Sequence, residues 1–323
     1  MTTDHARVDQ TLSILLTPGK GLIAPDEHPD LLARAVGVDI ADPLTRSRHR
    51  SMVLSTPDLP HWIVAAVVDV EAFGSGEPVE VPPGIVVGVR LGSDTDHYRY
   101  GDTLARRTEQ LRAELSRFRA AGVRFVKWRA DLDPLTGPAS AYLDASHLAA
   151  CAAASLECEL APVLDVAMPN QRTHSLSVAT AVTANALTSV HRALLERGCD
   201  PGRVLVRMNM VRAGTWHEDQ TTALQVGRAT LRVLSTHLPE QAPGVMFMST
   251  GMSGPEACAD LAAITAEAGR TGWDRPCTFG FGRALLSRGT HAWGRDGTHA
   301  AHDHIAQDCA AAAAATRRLP VTA

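Results

Sequence analysis

The sequence predicts a single (β/α)8 barrel, an α/β fold. Two observations carry this prediction. The chain contains eight short apolar segments of strand-like composition, and segments of helical composition separate most of them. Strands that other elements cover on both faces are expected to be apolar throughout rather than alternating. The predicted strands occupy residues 20–26, 62–70, 84–91, 123–129, 160–166, 203–209, 244–250 and 277–283.

The intervening helices are predicted from apolar spacing and from end signals. Ser253 and Glu256 have the spacing of a capping box, so a helix is expected to begin there. Only a Gly/Pro-rich loop, "GSGEPVEVPPG", separates strands two and three, so one helix of the regular alternation is expected to be missing. The other predicted helices cover residues 102–120, 142–157, 176–197, 218–236 and 299–316.

The main competing fold is a doubly wound open sheet. Its nucleotide-binding fingerprint is missing, because "GFGRAL" lacks the glycine spacing of a G-x-G-x-x-G loop. No linker or low-complexity segment divides the chain. We therefore predict one domain over residues 1–323.

Composition excludes several classes of partner. A net charge of −4 gives no reason to expect nucleic acid or an anionic membrane surface. The longest apolar run, "WIVAAVV", is too short to span a bilayer. The first residues lack the pattern of a signal peptide, and the six cysteines form no C-x-x-C pair. These features predict a cytoplasmic protein with reduced thiols.

Polar side chains interrupt the apolar strands close to their carboxyl ends. In "RVLVRMNMV", Arg207 and Asn209 are two residues apart and therefore share one face of a strand. Charged groups at the ends of apolar strands are costly unless they meet a polar ligand. The charged and polar residues at the active-site end of the predicted barrel are Asp26, Arg90, Lys127, Arg129, Asp165, Arg207, Asn209, Ser249, Thr250 and Arg283.

The cations in this set outnumber the carboxylates, which suits an anionic substrate such as a phosphorylated sugar. "MSTGMSG" leads into the capped helix and offers backbone N–H groups to a phosphate. "GFGRAL" offers an arginine beside glycines. We therefore predict a phosphorylated small molecule as the partner.

Five motifs in this order resemble the class I fructose-bisphosphate aldolases: "PGKGLIAPDE", "FVKWR", "LVRMNMV", "FMSTGMS" and "FGFGRAL". The resemblance runs from about residue 10 to residue 310 and implies the same barrel fold. It also implies Schiff-base chemistry on a ketose phosphate, with carboxylates moving protons and with neither a metal nor an organic cofactor. Because members of the family are commonly oligomeric, a homo-oligomer is expected.

Matched position by position, the resemblance implies proton-transfer roles for Asp26 and Asp165. Lys127 and Arg129 match the "KWR" pair, and Ala167 stands where the family has a second glutamate. The groups that match the family's phosphate-holding loops are Ser249, Thr250, Gly251, Gly282 and Arg283.

The chain departs from the family at Arg207. The family pattern "LLKPNMV" carries the Schiff-base lysine, whereas this chain has "LVRMNMV". Arginine stays protonated and cannot replace that nucleophile, which argues against ordinary glycolytic cleavage. Arg207 is then expected to bind an oxygen or a carboxylate of the substrate. Arg90 also replaces a lysine, and His28 and Leu31 replace serines that bind the second phosphate.

Three functional interpretations remain open. In the first, the chain is an aldolase-like carbon–carbon lyase whose imine-forming amine is Lys127, activated by neighbouring arginines. In the second, Lys127 and the arginines polarise an anionic carbonyl compound without a covalent intermediate, as in an isomerase, epimerase or eliminase. In the third, the chain is a phosphate-binding pseudoenzyme.

The sequence "HAAHDH" places His299 and His302 on one helical face. Because this segment falls on a predicted outer helix, we expect a solvated or interfacial role and no metal site. Trp128, between Lys127 and Arg129, is expected to point outward and pack against the helices.

Overall fold

The computed structural model describes residues 5–26, 42–74, 80–92, 104–131 and 137–317. Within them, eight parallel strands close a barrel in sequence order, and the last strand pairs with the first. The prediction of a (β/α)8 barrel is therefore confirmed. The strands are β1 (Gly21–Ile23), β2 (Ile63–Val68), β3 (Val86–Gly92), β4 (Phe125–Asp131), β5 (Ala161–Ala167), β6 (Leu205–Asn209), β7 (Val245–Met248) and β8 (Cys277–Phe281).

Helices surround the barrel and cover the outer faces of its strands. None of the helices in the described ranges combines the length and apolar composition that a membrane span requires. In chain order they are α1 (Ala6–Leu15), α2 (Pro43–Leu54), α3 (Leu104–Ala120), α4 (Gly137–Glu157), α5 (Leu176–Glu196), α6 (Ala223–His237), α7 (Gly254–Thr271), α8 (Arg283–Asp296) and α9 (Thr298–Ala315).

Each predicted strand overlaps an observed one, but β1, β2, β7 and β8 end earlier than predicted. β1 stops at Ile23, so Asp26 lies in the segment beyond it. β8 stops at Phe281, and Gly282 is the N-cap of α8. Arg283 is therefore the first residue of a helix, not the last residue of a strand.

The sequence analysis assigned no helix to α1, α2 or α8. α1 does carry an apolar stripe, since Val8, Leu12 and Leu15 are buried. Between β2 and β3, the described residues include a short 3-10 helix at Val70–Phe73, and residues 75–79 of the Gly/Pro-rich loop lie outside the described ranges. The predicted capping box is present, with Ser253 and Glu256 each accepting from the other's backbone N–H.

Aromatic rings fill the barrel below its mouth. A Cβ atom on Gly21 would lie 2.5 Å from the ring of Phe279, and one on Gly88 would lie 2.2 Å from the ring of Phe125. Phe125 is two residues before Lys127, so both side chains lie on the same face of β4. The interior thus changes from packed rings to charged groups within one step along the strand.

We expect Gly88→Ala to lower the free energy of unfolding by about 1–3 kcal/mol, because the new methyl group would overlap the Phe125 ring. Gly269→Ala is the matched control, since a Cβ atom on this helical glycine would meet nothing within 4 Å. The control should be neutral or stabilising by up to about 1 kcal/mol. Urea denaturation measures both changes, and equal effects would contradict this account of the barrel packing.

Candidate active site

The strand register brings the predicted site residues together at the carboxyl end of the barrel. Arg90 on β3 pairs with Lys127 on β4. One step further, Arg129 pairs with Asp165 on β5, and Asp165 pairs with Arg207 on β6. Side chains at matched positions of neighbouring parallel strands share a face, so these groups form one cluster.

Lys127 lies between two buried carboxylates. Its Nζ donates to Oδ2 of Asp26 in a short contact and lies 4.0 Å from Oδ2 of Asp165. Arg90 approaches the same oxygen of Asp26, with Nε at 3.6 Å. Lys127, Asp26 and Asp165 are buried, whereas the Arg90 side chain is 20% exposed. Burial without these partners would destabilise each charge, so the cluster depends on all of its members.

The environment shifts the pKa values of the central pair. Burial raises the pKa of Asp26, but Lys127, Arg90 and Arg207 outweigh it and hold the pKa below its ordinary value. Burial also lowers the pKa of Lys127, with Arg207 and Arg90 acting in the same direction against Asp26 and Asp165. Asp26 is therefore an ionised acceptor, and Lys127 releases a proton more readily than an exposed lysine does.

Arg207 is held by protein groups on both sides. Its Nη1 donates to Oδ2 of Asp165 at 2.5 Å. Its Nε and Nη2 donate to the backbone oxygen of Gly280 on β8, at 3.1 and 2.7 Å. The guanidinium group therefore links β5 to β8 across β6 and β7 inside the barrel.

Asp165 has one carboxylate oxygen that no described residue contacts by a hydrogen bond. Oδ2 is occupied by Arg207, whereas Oδ1 is buried and accepts no hydrogen bond from the described residues. A buried acceptor of this kind calls for a ligand or a water. Oδ1 is consequently the oxygen of this carboxylate that keeps unused hydrogen-bonding capacity.

Asn209 ties three strand ends together. Its side-chain amide donates to the backbone oxygen of Met168 and accepts from the Met168 N–H. It also donates to Oδ1 of Asn170, whose own amide donates to the backbone oxygen of Thr250. These contacts account for the Asn209 amide, and its predicted contact with substrate stays a prediction.

The turn after β7 contains three of the residues that are predicted to hold a phosphate. Thr250 and Gly251 adopt left-handed backbone angles, with φ of 37° and 83°. The Thr250 hydroxyl is buried with no partner among the described residues. A Cβ atom on Gly251 would lie 3.9 Å from Nη2 of Arg283, so the turn and the start of α8 are neighbours. Ser249, the first residue of this turn, is also buried.

The structure adds residues that the sequence analysis missed. Asp69, which follows β2, contributes a further carboxylate, and its pKa is raised because burial, together with the neighbouring Glu71, outweighs Arg50 and Arg90. Nη1 of the buried Arg50 lies 3.4 Å from Oδ2 of Asp69. Asp69 falls at the end of a predicted strand, which is a usable signal, but nothing in the sequence pairs it with Arg50.

Other singled-out residues lie away from the cluster. Nε1 of Trp128 donates to the Ser155 hydroxyl on α4, which confirms the outward packing of this indole. Lys20 precedes β1 and donates to the Pro60 oxygen at the opposite end of the barrel. His299 and His302 lie on the outer helix α9. Across the described ranges, no group of three or more His, Cys, Asp or Glu side chains is arranged to hold a metal ion. His28 and Leu31 lie outside those ranges.

Comparison with known proteins settles the family. The family model described as "Fructose-bisphosphate aldolase class-I" matches residues 8–319. This chain belongs to the class I fructose-bisphosphate aldolase family. Membership supports aldolase-like lyase chemistry on a phosphorylated sugar, as the five motifs predicted.

Individual relatives in the family are distant but similar over most of their length. A probable fructose-bisphosphate aldolase class 1 from Xanthomonas campestris pv. campestris is 27% identical over 304 residues, which cover 90% of each chain. The cytoplasmic isozyme of fructose-bisphosphate aldolase from Cicer arietinum is 27% identical over 306 residues, covering 90% of this chain and 84% of the relative.

A solved structure gives the same result for the fold. The fructose-bisphosphate aldolase of Plasmodium falciparum, crystallised with TRAP and a small-molecule inhibitor, superposes with a TM-score of 0.83 at 26% identity. The match covers 98% of this chain and 96% of that one.

The electrostatics of the cluster predict the effect of removing Asp26. Because the Asp26 carboxylate raises the pKa of Lys127, Asp26→Asn should move the titration of Lys127 to lower pH. Reductive methylation at a series of pH values, followed by mass spectrometry, gives the midpoint of labelling at this residue. Asp58→Asn, at an exposed carboxylate beside His61, is the control and should leave the midpoint unchanged. A shift to higher pH in Asp26→Asn would contradict the arrangement.

Proposed function

We propose that the chain is an aldolase-like carbon–carbon lyase acting on a phosphorylated sugar or a related carbonyl compound, with an imine at Lys127. One observation carries the proposal. The chain has two lysines, and Lys127 alone of these lies at the active-site end of the barrel. An imine needs a primary amine, and Arg207 at the family's lysine position cannot supply one.

The surroundings of Lys127 support this role. Burial and the neighbouring Arg207 and Arg90 lower its pKa, which favours the neutral amine that attacks a carbonyl. Asp26 is in direct contact with Nζ and can accept its proton, while Asp165 has an oxygen that accepts no hydrogen bond from the described residues. One amine and two carboxylates in one buried site are the groups that imine chemistry requires.

The proposed reaction starts when the Lys127 ammonium gives a proton to a carboxylate and the amine adds to the substrate carbonyl carbon. The addition moves a second N–H proton to the carbonyl oxygen, which becomes the carbinolamine hydroxyl. This hydroxyl takes the proton held by the carboxylic acid and leaves as water, which produces an iminium ion. Asp165 then removes the proton of the β-hydroxyl group, the carbon–carbon bond breaks, and its electron pair moves to the iminium nitrogen to give an enamine. The aldehyde departs, the enamine carbon takes the proton, and water hydrolyses the iminium to free Lys127.

We assign the substrate phosphate to the turn of Ser249, Thr250 and Gly251, to Gly282 and to Arg283. Arg283 begins α8, and a helix N-terminus offers unpaired backbone N–H groups and a favourable dipole to an anion. The Thr250 hydroxyl, which has no partner among the described residues, is a further donor at this turn. The relatives named as fructose-bisphosphate aldolases support a phosphorylated substrate.

A second function has one observation in its favour. The short contact between Lys127 and Asp26 is also what a permanently charged ion pair would show. In that case Lys127, Arg129 and Arg90 polarise an anionic carbonyl compound, and the carboxylates move protons in an isomerisation, epimerisation or elimination. The two functions differ in whether the amine forms a covalent bond.

The proposal also covers the oligomeric state of the chain and its location in the cell. The family resemblance predicts a homo-oligomer, and the relative from Cicer arietinum is named a cytoplasmic isozyme. We propose the same setting for this chain.

The imine predicts a covalent adduct at one residue. Incubation with a ketose phosphate and borohydride should add the mass of the reduced substrate to Lys127, and Lys20 is the internal control. Lys127→Arg keeps the charge without the nucleophile, so the covalent route predicts loss of turnover by about 10³-fold or more. The electrostatic alternative predicts a loss of about 10- to 100-fold and no adduct. Near-normal turnover in Lys127→Arg would exclude the imine.

The phosphate assignment predicts a loss of affinity on removing one arginine. Arg283→Ala should weaken the binding of a phosphorylated ligand by about 1.5–3 kcal/mol, the contribution of hydrogen bonds to a charged group. Arg295→Ala, at the exposed carboxyl end of the same helix, is the control and should bind normally. Calorimetry with dihydroxyacetone phosphate measures both. Equal affinities for Arg283→Ala and the unmodified protein would show that the phosphate does not bind at Arg283.

A further inference from the structure

Most of the donor capacity of Arg207 is taken up by the protein. A guanidinium group carries five N–H donors. Three N–H···O contacts already join it to the Asp165 carboxylate and the Gly280 backbone oxygen. The side chain is buried, so it has little freedom to turn toward another ligand.

Gly280 makes this arrangement possible. A Cβ atom at this position would lie 2.8 Å from Nε of Arg207 and 2.5 Å from Sδ of Met246. Both distances are shorter than any ordinary contact of a methyl group. Only glycine therefore lets the guanidinium group reach the backbone oxygen of β8.

The consequence falls on Asp165. Because Arg207 is fixed to β8 through Gly280, it holds Oδ2 of Asp165 in one place and leaves Oδ1 without a partner. The fully buried carboxylate also stays 4.0 Å from Nζ of Lys127. A planar, forked cation can hold two acceptors at once, which a lysine ammonium on its flexible stem does less well.

We propose that Arg207 is a positioning residue. Supported by Gly280, it holds Oδ2 of Asp165 4.0 Å from Nζ of Lys127 and thereby fixes the orientation of the whole carboxylate beside the amine. This inference rests on the proposed function and deepens it. Arg207 then neither forms the imine nor holds the substrate, and Gly280 and Arg207 act as one unit.

Two sets of variants test the unit. Arg207→Met removes the guanidinium group, and Gly280→Ala/Met246→Ala introduces the methyl group facing Arg207 while relieving its overlap with the methionine sulfur. Met246→Ala alone reports the effect of the smaller side chain. We expect kcat to fall about 10- to 100-fold in both sets relative to their parents, with KM changed less than about twofold, because the base is misplaced while substrate contacts remain.

Combining the two sets of variants distinguishes a role that Gly280 and Arg207 share from two independent effects on kcat. If Gly280 acts through Arg207, Arg207→Met should cause little further loss in the Gly280→Ala/Met246→Ala background. Losses that multiply, or an effect confined to KM, would overturn the proposal. Arg207→Gln, a milder change, gives the same kinetic test if Arg207→Met does not fold.

One readout does not depend on turnover. Arg207 is one of the cations that lower the pKa of Lys127, so Arg207→Met should move the pH midpoint of reductive methylation at Lys127 upward, with Lys20 as the internal reference. An unchanged midpoint would overturn the placement of Arg207. If the unmodified protein turns over no sugar phosphate, the proposed function fails, and this measurement still tests the arrangement of Arg207.

Discussion

The buried contact between Lys127 and Asp26 is the interaction on which the rest of the site depends. Neither charge would be stable alone inside the barrel. The neighbouring charges stabilise the pair, because Arg90 lies close to Asp26 and Asp165 lies close to Lys127. Parallel strands in register supply this geometry, because equivalent positions on neighbouring strands face the same interior. The apolar rings beneath the cluster keep water from screening it from below.

Arginine at position 207 changes the balance of this cluster in a way that lysine would not. A lysine there could lose its proton and relieve the repulsion, whereas a guanidinium group adds a permanent positive charge beside Lys127. That charge is one reason why the pKa of Lys127 is low. An arginine at this position therefore favours the neutral form of the Lys127 amine.

Much of the fold was predictable because buried strands have a recognisable apolar composition, and all eight predicted segments overlap a strand. Helix α2 was missed because it is mostly polar and buries His49 and Arg50, which no hydrophobic pattern marks. The sequence also predicted the charged groups at the mouth, since ionisable residues after apolar runs stand out. It could not show that Arg207 is bonded to Gly280 or that Asp69 joins Arg50, because such contacts depend on chain segments far apart in sequence.

Among the described residues, cations outnumber carboxylates at the mouth even after the structure has added Asp69. Asp69 increases the number of carboxylates, yet it contacts Arg50, so the cation that it brings with it offsets its charge. Arg90, Lys127, Arg129, Arg207 and Arg283 then outnumber Asp26 and Asp165, and Arg207 and Lys127 are largely engaged with those two carboxylates. Of the described cations, Lys127 and Arg207 thus lie within the carboxylate–amine centre, and Arg90, Arg129 and Arg283 lie around it. An anionic substrate with a neutral reacting carbon suits this distribution, because its charged group can meet the outer arginines while its carbonyl meets Lys127.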